Sequence, residues 1–443
     1  MGLGKSGLAT ARALITRGQS VCAWDDTPEK RDEAAKAGIP IVDLTAAPLD
    51  GFAALVLSPG IPHTWPRPHP VAARAKQAGL SIIGDIELLA RANTHIHYIG
   101  ITGTNGKSTT TALIGHILKE AGQSVSTGGN LGYPVLELPV PEQDGFYVLE
   151  LSSYQLELTQ SLVPDIAILL NLSSNHLDRH GGMDGYIAAK KRIFRGQKAP
   201  QTTIIGMDDP WSAALHTELA RTSQAWIVPI SAEKPVLRGV YVLDGMLFDD
   251  MDGGNKPVLD LSGLPALPGK HNAQNVAAAW AACRAAKIDP HAVMSAMRSF
   301  SGLAHRQQRV AQISGVTFIN DSKATTADAA GKALACYSPV YWIVGGRPKE
   351  GGLSGLEGFM PRIAHAFVIG EAEEDFARWL EGKAPYTRCG DLKTATGRAA
   401  AMALADQKPG ATVLLSPACA SWDQFSSFEE RGDTFAALVR HIR

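Results

Sequence analysis

A glycine-rich stretch with a single lysine, GTNGKST at residues 103–109, contains residue types that could bind phosphate. Its glycines allow backbone N–H groups to turn towards an anion, Lys107 adds positive charge, and the helix predicted to follow adds its positive N-terminus. The spacing differs from the common phosphate loop, because Ile101 stands where that motif has its first glycine. The stretch therefore predicts a site for nucleotide phosphates, at which Ser108 or Thr109 would give a hydroxyl ligand to Mg²⁺.

Three further residues could complete this chemistry, and they lie beyond the next apolar runs of the chain: Glu150, His176 and Lys190. Mg²⁺ prefers hard oxygen ligands, so a glutamate at a strand end suits it, but a glutamate there equally caps the next helix. A lone histidine is more often an ordinary surface or core residue than a ligand. Burial or nearby cations would lower the pKa of Lys190, and a neutral lysine reacts with CO₂ to form a carbamate. The residue types alone leave these alternatives open.

Alternating strand and helix patterns must position these residues, and they divide the chain of 443 residues into three blocks. A length about three times that of a ~150-residue domain agrees with more than one core. Each block alternates apolar runs with helical patterns, which is typical of α/β folds with parallel sheets. We therefore predict domains at residues 1–92, 93–301 and 302–443. In such sheets ligands bind beyond the carboxyl ends of the strands, where polar residues follow the apolar runs.

The clearest element predictions rest on apolar runs and on helical periodicity. A helix is predicted at residues 7–18, ended by Gly18, and another at 107–122. A weak hairpin signal lies at Asp244 and Gly245. One face of the second helix carries Leu113, Ile114, Ile117, Leu118 and Ala121. Strands are predicted at residues 20–26, 54–60, 95–102, 145–151, 164–172, 315–321, 339–346, 365–371 and 412–421.

The chain opens with GLGKSGLA, which has the GxGxxG spacing of a dinucleotide-binding turn. Asp25 and Asp26 follow about twenty residues later, where such folds place a ribose-binding acid. The strand that should precede the glycines is absent from the sequence. We expect that the start was assigned too late, because a sheet without that central parallel strand would leave its helices uncovered.

Composition excludes several classes of protein. Lys plus Arg (42) nearly balance Asp plus Glu (43), so the broad basic surface of a nucleic-acid binder is not expected. The five cysteines contain no CxxC pair, which argues against a zinc knuckle or a disulfide framework. No apolar run approaches the ~18 residues of a membrane span, and residues 1–20 lack a signal-peptide core. We expect a cytoplasmic protein that binds neither nucleic acid nor membrane.

Taken together, these strings resemble the Mur ligase superfamily, ATP-dependent amide-forming enzymes of peptidoglycan precursor synthesis. That family's phosphate loop has the form GTxGK(S/T), which GTNGKST matches. The resemblance implies an α/β fold of three domains: an N-terminal Rossmann-like UDP-binding domain, here without its first strand, a central P-loop-like ATP-binding parallel sheet, and a C-terminal Rossmann-like domain. The similarity covers nearly the whole chain, through SPGI, GTNGKST, GNLG, LELSSYQLE, NHLDRH, YIAAKKRIF, GKHNAQN, HRQQRV, NDSKATT and LLSPACASWDQFSSFEERG.

The resemblance also implies a role for each matching residue. Glu150 would bind a first Mg²⁺ and His176 a second, with Lys190 carbamylated and directed to that second ion. The ATP-binding residues would be Gly103, Thr104, Asn105, Gly106, Lys107, Ser108, Thr109, Asn272, Asn275, Arg306 and Asp321, of which Ser108 also reaches a metal ion. The substrate-binding residues would be Ser58, Gly60 and Asn130 for the uridine-linked substrate, and Lys323, Thr325, Lys349, Ser421 and Phe428 for the amino acid.

Within the family, NDSKAT and SPACASWDQF resemble the members that add D-glutamate to UDP-N-acetylmuramoyl-L-alanine. The implied partners are those two small molecules, and a monomer is expected. Sister ligases and folylpolyglutamate synthases usually carry a histidine-containing string where this chain has Asp321, Ser322 and Lys323. Two departures bear on the site: the missing first strand should weaken UDP binding, and Gly346 leads into RPKEGG, which affects the placing of Lys349. Rival hypotheses are a nicotinamide-dependent oxidoreductase using GLGKSG and a nucleotide sensor without catalysis.

Overall fold

The computed structural model describes residues 1–442, which form two compact units. The first unit comprises Met1–Gly263 and Asn272–Ser299, and the second comprises Leu264–His271 and Phe300–Arg443. The main segment of the second unit begins at Phe300, and the predicted boundary at residue 301 stays a prediction. The first unit contains both of the first two predicted domains, so the division at residue 92 stays a prediction.

The N-terminal part of the first unit is an α/β layer with short strands. Strands β1 and β2 pair in parallel. Residues 20–26, predicted as a strand, form only an isolated bridge between Ala23 and Ile41, so this prediction was wrong. A regular ladder needs paired neighbours along its length, and this segment has single contacts only. The elements are α1 (Lys5–Thr16), α2 (Pro28–Lys36), β1 (Ala54–Val56), α3 (Pro70–Gln77), β2 (Ser81–Ile83) and α4 (Asp85–Ala92).

The glycine turn before α1 is tightly packed and is held by a buried acid. Gly2 has a φ of +88°, and a Cβ on Gly7 would lie 1.8 Å from the Gly2 carbonyl oxygen. Asp25 accepts hydrogen bonds from the N–H of Leu3 at 2.7 Å and of Thr27 at 2.9 Å. Burial alone would raise the pKa of Asp25, but these N–H bonds hold it below its usual value. Asp25 therefore fixes the backbone of the turn.

The rest of the first unit is built on a nine-stranded sheet. Its order is β11-β10-β9-β8-β7-β6-β3-β5-β4, parallel from β4 to β9 and antiparallel across β9, β10 and β11. The elements are β3 (His97–Thr102), α5 (Lys107–Glu120), β4 (Val125–Gly129), β5 (Phe146–Glu150), α6 (Ser153–Glu157), β6 (Ile166–Leu169), α7 (Leu177–His180), α8 (Met183–Lys191), β7 (Lys198–Gly206), α9 (Pro210–Thr222), β8 (Gln224–Ser231), β9 (Val240–Leu243), β10 (Met246–Asp249), β11 (Lys256–Asp260), α10 (Lys270–Ala285) and α11 (Pro290–Ser299).

Helical periodicity in α5 decides which face is buried. Leu113, Ile114, Ile117 and Leu118 are completely buried, as predicted. The helix begins at Lys107, directly after Gly106, whose φ of +84° lies in the left-handed region. The weak hairpin signal is also confirmed, since Asp244 and Gly245, both at positive φ, connect β9 to β10.

The second unit is a six-stranded sheet in the order β12-β13-β17-β14-β15-β16, parallel except for the pair β12–β13. Its four predicted strands are confirmed at β13, β14, β15 and β17. No helix among residues 1–442 is both long and apolar enough to cross a membrane. The elements are β12 (Gln308–Ile313), β13 (Val316–Asn320), α12 (Ala327–Leu334), β14 (Val340–Gly345), β15 (Ile363–Ile369), α13 (Glu373–Leu380), β16 (Tyr386–Gly390), α14 (Leu392–Asp406), β17 (Thr412–Leu415) and α15 (Phe428–Arg440).

Two buried polar residues join the strand ends of this second sheet. Asp321, after β13, accepts hydrogen bonds from the Ser416 hydroxyl, after β17, at 2.8 Å and from the Gln307 N–H at 3.1 Å. Burial raises the pKa of Asp321 to about 7. Arg431 of α15 is buried too, and its guanidinium donates to the carbonyls of Ser322, Cys419 and Ala420. These bonds fix the loops that follow β13 and β17.

We expect Asp321→Asn to change the pH dependence of stability. The pKa of Asp321 is raised on folding, so the folded protein holds a proton that the unfolded chain has lost above pH 4. Each pH unit from there to the folded pKa of about 7 should then cost the wild type about 1.4 kcal/mol of unfolding free energy. The asparagine variant should lack this loss. Urea unfolding of both proteins between pH 4.5 and 7.5 tests the expectation, and parallel pH profiles would contradict it.

Candidate active site

The first group of predicted site residues lies at the carboxyl ends of three neighbouring strands. In the sheet, β3 lies between β5 and β6. The glycine-rich loop follows β3, Glu150 ends β5, and the segment leading to His176 follows β6. Chain positions more than 70 residues apart therefore meet at one sheet edge, as the position of ligand sites in open parallel sheets predicts.

The loop 103–106 is held open by its glycines and by Asn171. Gly103 and Gly106 have φ values of +149° and +84°, and a Cβ on Gly106 would lie 2.2 Å from the Asn275 Oδ1. Asn171 accepts from the Thr104 N–H through its backbone carbonyl and from the Asn105 N–H through its side chain, both at 2.9 Å. These contacts fix the loop conformation before any phosphate binds.

Two lysine ammonium groups converge on one carbonyl oxygen of this loop. The Lys107 Nζ donates to the Gly103 carbonyl at 2.9 Å, and the Lys190 Nζ donates to the same oxygen at 2.8 Å. Lys107 also donates to the carbonyl of Thr104. Two ammonium groups at one carbonyl oxygen concentrate positive charge at the loop, which favours an anion there.

Lys190 is almost completely buried, with 2% of its surface exposed. Its ammonium donates to the Thr102 hydroxyl at 3.2 Å and lies 4.8 Å from the centre of the Tyr186 ring. Burial, and then the charge of Lys107, lower the pKa of Lys190 well below its ordinary value, while Glu150 acts in the opposite direction. A lowered pKa increases the neutral fraction of the lysine, and the neutral amine is the form that reacts with CO₂.

Glu150 is buried and has one oxygen without a partner. Its Oε1 accepts from the Asn130 side-chain amide at 2.8 Å, and its backbone carbonyl accepts from the Asn130 N–H at 2.9 Å. Its Oε2 is buried and makes no hydrogen bond within residues 1–442. A buried carboxylate oxygen left unpaired is costly, and a hard cation would satisfy it. The residues present therefore fit a Mg²⁺ ion here.

Protein carboxylates and imidazoles alone do not complete such a site. Within the described residues 1–442, no three His, Cys, Asp or Glu side chains lie close enough together to hold a metal ion. Mg²⁺ usually binds through one or two carboxylates together with phosphate oxygens and water. Glu150 and the buried Ser108 at the start of α5 agree with that pattern.

His176 is exposed at the entrance of α7 and has a φ of +53°, in the left-handed region. Its ring centroid lies 5.2 Å from that of Tyr154. Partial desolvation of the side chain and the charge of His180 lower its pKa, Lys107 and Lys190 act in the same direction, and Asp178 acts against them. The neutral imidazole favoured in this way is the form that binds metal ions.

The predicted adenine segment lies against the helix of the glycine-rich loop. Asn272 and Asn275, both buried, are joined by a side-chain hydrogen bond of 2.9 Å. The Thr110 hydroxyl of α5 donates to the Asn275 Oδ1 at 3.2 Å. The start of α10 therefore lies beside α5, and the contact with adenine stays a prediction.

Ser58, predicted to face the uridine-linked substrate, lies beside the first glycine turn. Its hydroxyl donates to the Gly2 carbonyl at 3.1 Å, and its N–H donates to the Met1 carbonyl. Gly60 is exposed two residues later. The SPGI segment thus forms one wall of the GLGKSG turn.

The second group of predicted residues lies in the second unit. The Lys323 Nζ lies 3.7 Å from the centre of the Phe428 ring, and the Lys349 Nζ donates to the Thr325 hydroxyl at 3.3 Å. The turn after Gly346 therefore does bring Lys349 to the loop that follows β13. Ser421 is buried as well. It follows Cys419 and Ala420 in the sequence, and the carbonyls of those two residues accept hydrogen bonds from Arg431. Arg306 is close enough to Asp321 to lower its pKa slightly against the effect of burial.

Sequence reasoning missed several residues that shape the site. Tyr186 packs on Lys190 and its hydroxyl contacts the Thr104 hydroxyl at 3.1 Å. Its position four residues before Lys190, on α8 in the structure, was a usable signal, because such residues share a face of a helix. Asn171 and Arg431 act across long sequence separations, and no local pattern indicates their partners.

Several known proteins match this chain over part or all of its length. The family model of the Mur ligase middle domain matches residues 101–283. A UDP-N-acetylmuramoylalanine--D-glutamate ligase of Rhodospirillum rubrum is 54% identical over 447 residues, covering 100% of this chain and 94% of the relative. The enzyme of the same name from Paramagnetospirillum magneticum is 53% identical over 440 residues, covering 99% of this chain and 95% of the relative.

Solved structures of lower sequence identity share the fold. The UDP-N-acetylmuramate-alanine ligase of Thermotoga maritima superposes with a TM-score of 0.59 at 18% identity, covering 99% of this chain and 98% of that chain. A MurF ligase of Thermotoga maritima, solved in complex with ADP, has a TM-score of 0.55 at 19% identity and covers 90% of this chain and 100% of that chain. The full-length relatives decide the assignment: this chain belongs to the Mur ligase family, and it is a ligase.

Proposed function

We propose that the protein is an ATP-dependent ligase that joins D-glutamate to UDP-N-acetylmuramoyl-L-alanine and releases ADP and phosphate. The observation that carries the proposal is the convergence of Lys107 and Lys190 on the carbonyl of Gly103 in the glycine-rich loop. The named relatives act in the same step, as their names state. The activity belongs to peptidoglycan precursor synthesis, and through it to cell-wall formation, cell shape and division.

The nucleotide would be held by the loop amides and by Lys107. Ser108 and Glu150 would hold one Mg²⁺, while His176 and a carbamylated Lys190 would hold a second. Bound Mg²⁺ neutralises phosphate charge, which makes the γ-phosphorus a better electrophile. The protein's own part is to fix the phosphates in one orientation: the loop conformation is set by Gly103, Gly106 and Asn171 before binding.

The uridine-linked substrate would bind along the GLGKSG turn and the SPGI segment, with Asn130 directed to its peptide end. The Asn130 amide holds Glu150 at the same time. Its L-alanine carboxylate attacks the γ-phosphorus of ATP, the β–γ bridging oxygen leaves with ADP, and an acyl phosphate forms. Positive charge from Lys107 stabilises the negative charge that develops on the transferred group.

The amino acid would be held in the second unit. Lys349 and the hydroxyls of Thr325 and Ser421 suit the two carboxylates of glutamate, while Lys323 packs on Phe428 beside them. The neutral amine of glutamate attacks the acyl carbon, the amine loses a proton, and phosphate leaves as the amide bond forms. These cationic and hydroxyl groups would select an amino acid with two carboxylates, because each carboxylate requires a cation or hydroxyl partner.

A cytoplasmic location completes the proposal, because ATP is a cytoplasmic metabolite, and a monomer is proposed with it. An oxidoreductase that uses the GLGKSG turn for a nicotinamide is the rival hypothesis. In the structure Asp25 is engaged with the turn's own Leu3 N–H and with Thr27. Titration with NADH should therefore give no saturable spectral change.

The ligase activity is testable by phosphate release. We expect release only when ATP, Mg²⁺, UDP-N-acetylmuramoyl-L-alanine and D-glutamate are all present, and little with L-glutamate or other amino acids. Lys107→Ala should abolish the signal, because the loop then loses the cation that stabilises the transferred group, an effect of at least about 10²-fold. Equally fast release without any amino acid would overturn the assignment as an amide ligase, and tight ATP binding with no release would favour a sensor.

Carbamylation of Lys190 is testable separately. Its burial and lowered pKa predict that ¹³C-labelled bicarbonate gives a carbamate signal in the ¹³C NMR spectrum of the wild type, and that Lys190→Arg lacks this signal. The neighbouring Lys191→Arg is the matched control, because Lys191 is partly exposed and pairs with Glu218. A signal that persists in Lys190→Arg, or that disappears in Lys191→Arg, would contradict the prediction.

Glu150→Gln tests the metal site. The amide keeps the size of the side chain but removes the anionic oxygen that has no partner. We expect the Mg²⁺ concentration for half-maximal phosphate release to rise at least about tenfold, since metal sites lose affinity when an oxygen ligand loses its charge. Glu157→Gln is unsuitable as a control because Glu157 pairs with His180, so the exposed Glu120→Gln at the end of α5 serves instead.

A further inference from the structure

Two loops of the first unit are joined by a buried arginine. We name residues 58–66 the SPGI loop and residues 176–182 the histidine segment. Arg179 of the histidine segment donates from Nη1 to the Trp65 carbonyl at 3.2 Å and from Nη2 to the Ile61 carbonyl at 3.3 Å. The guanidinium of Arg179 thus spans two carbonyls of the SPGI loop. The backbone of Arg179 belongs to the histidine segment, which also carries His176.

A second contact joins the same two loops. The indole of Trp65 lies directly on Gly181, where a Cβ would be 1.3 Å from the Trp65 Nε1. Gly181 also has a φ of +70°, which favours glycine independently of the contact. The SPGI loop and the histidine segment therefore meet at two places, at the Arg179 guanidinium and at Gly181.

The buried side of Arg179 is fixed by α6, which begins just after Glu150. The guanidinium lies 5.2 Å from the centre of the Tyr154 ring and 3.7 Å from the Glu157 Oε2. His180 binds the other Glu157 oxygen at 3.1 Å and the Ser153 hydroxyl at 2.9 Å. Tyr154 in turn lies against His176. A short helix following one proposed metal ligand thus supports the segment that carries the other.

From these contacts we propose that Arg179 is a positioning residue that couples occupation of the SPGI loop to nucleotide binding at His176. The inference rests on the proposed function, which places the uridine-linked substrate at the SPGI loop and Mg²⁺-nucleotide near His176. A substrate that orders the SPGI loop also orders its two carbonyls, and through Arg179 the histidine segment. By thermodynamic linkage each ligand then raises the affinity for the other by the same factor.

The coupling is measured by binding, without turnover. Isothermal titration calorimetry gives the Kd of Mg²⁺-ADP in the absence and presence of saturating UDP-N-acetylmuramoyl-L-alanine. For the wild type we expect the substrate to tighten Mg²⁺-ADP binding about fivefold or more, the lower end of typical coupling factors. Arg179→Lys keeps the charge but loses the planar fork that spans two carbonyls, so the factor should fall to about one. Its Kd for Mg²⁺-ADP alone should change by less than about threefold, because Arg179 does not touch the nucleotide in this proposal.

Arg74→Lys is the matched control. Arg74 of α3 also spans loop carbonyls, donating to those of Leu44 and Ala47, but it contacts neither the SPGI loop nor the histidine segment. It should retain the wild-type coupling factor.

Trp65→Leu provides a second probe of the same coupling, because Arg179 is buried and its variant could lose stability. Trp65 is 49% exposed, so this variant should fold while losing the contact with Gly181.

The outcomes separate this inference from the proposed function. Wild-type coupling in both Arg179→Lys and Trp65→Leu would overturn the role of Arg179. Substrate binding that leaves the wild-type Kd of Mg²⁺-ADP unchanged would overturn the coupling while leaving the ligase assignment intact. A wild type that binds no UDP-N-acetylmuramoyl-L-alanine at all would overturn both. A reduced factor in the two variants, with a normal factor in Arg74→Lys, is the result we expect.

Discussion

The buried ammonium of Lys190 is the constraint on which the first unit's site depends. Within residues 1–442 no carboxylate lies at ion-pair distance from its Nζ, and its hydrogen bonds go only to the Thr102 hydroxyl and to the Gly103 carbonyl that Lys107 also binds. A buried, unpaired cation is costly, and a second cation beside it increases that cost. Two outcomes lower it: Lys190 becomes neutral, or an anion arrives. Both are needed by the proposed chemistry, since a carbamate requires the first and nucleotide phosphates supply the second.

The order of the strands makes this concentration of charge possible. Because β3 lies between β5 and β6, the glycine-rich loop has the Glu150 side of the sheet on one flank and the histidine segment on the other. Each flank contributes a group that suits a divalent cation: an unpaired carboxylate oxygen from Glu150 and a neutral imidazole from His176. Positive charge on the loop and cation-binding groups beside it are complementary only when a polyphosphate lies between them. This arrangement agrees with the proposed binding of a metal–nucleotide complex.

The sequence predicted the parts of this arrangement that depend on local pattern. The helix α5, its buried face, the strands that end at Glu150 and Asp321, and the hairpin at Asp244 all follow from periodicity and turn chemistry. The strand predicted at residues 20–26 failed because its pairing partners, and not its own composition, decide whether a ladder forms. Asn171 and Arg179 escaped prediction for a related reason. Their roles come from contacts across the chain: Arg179 binds carbonyls 114 and 118 residues away in sequence.

The second unit also buries a cation, but the contacts of this cation leave its charge in place. Arg431 is buried, and burial lowers its pKa to about 10, yet its partners are the Ser322 hydroxyl and the carbonyls of Ser322, Cys419 and Ala420. Carbonyl oxygens satisfy its donors without cancelling its charge, so the loops that carry Lys323 and Ser421 keep a positive field. A carboxylate in place of those carbonyls would stabilise the arginine better and would weaken that field. The glutamate pocket proposed above would need such a field, and Lys349 at Thr325 would add to it.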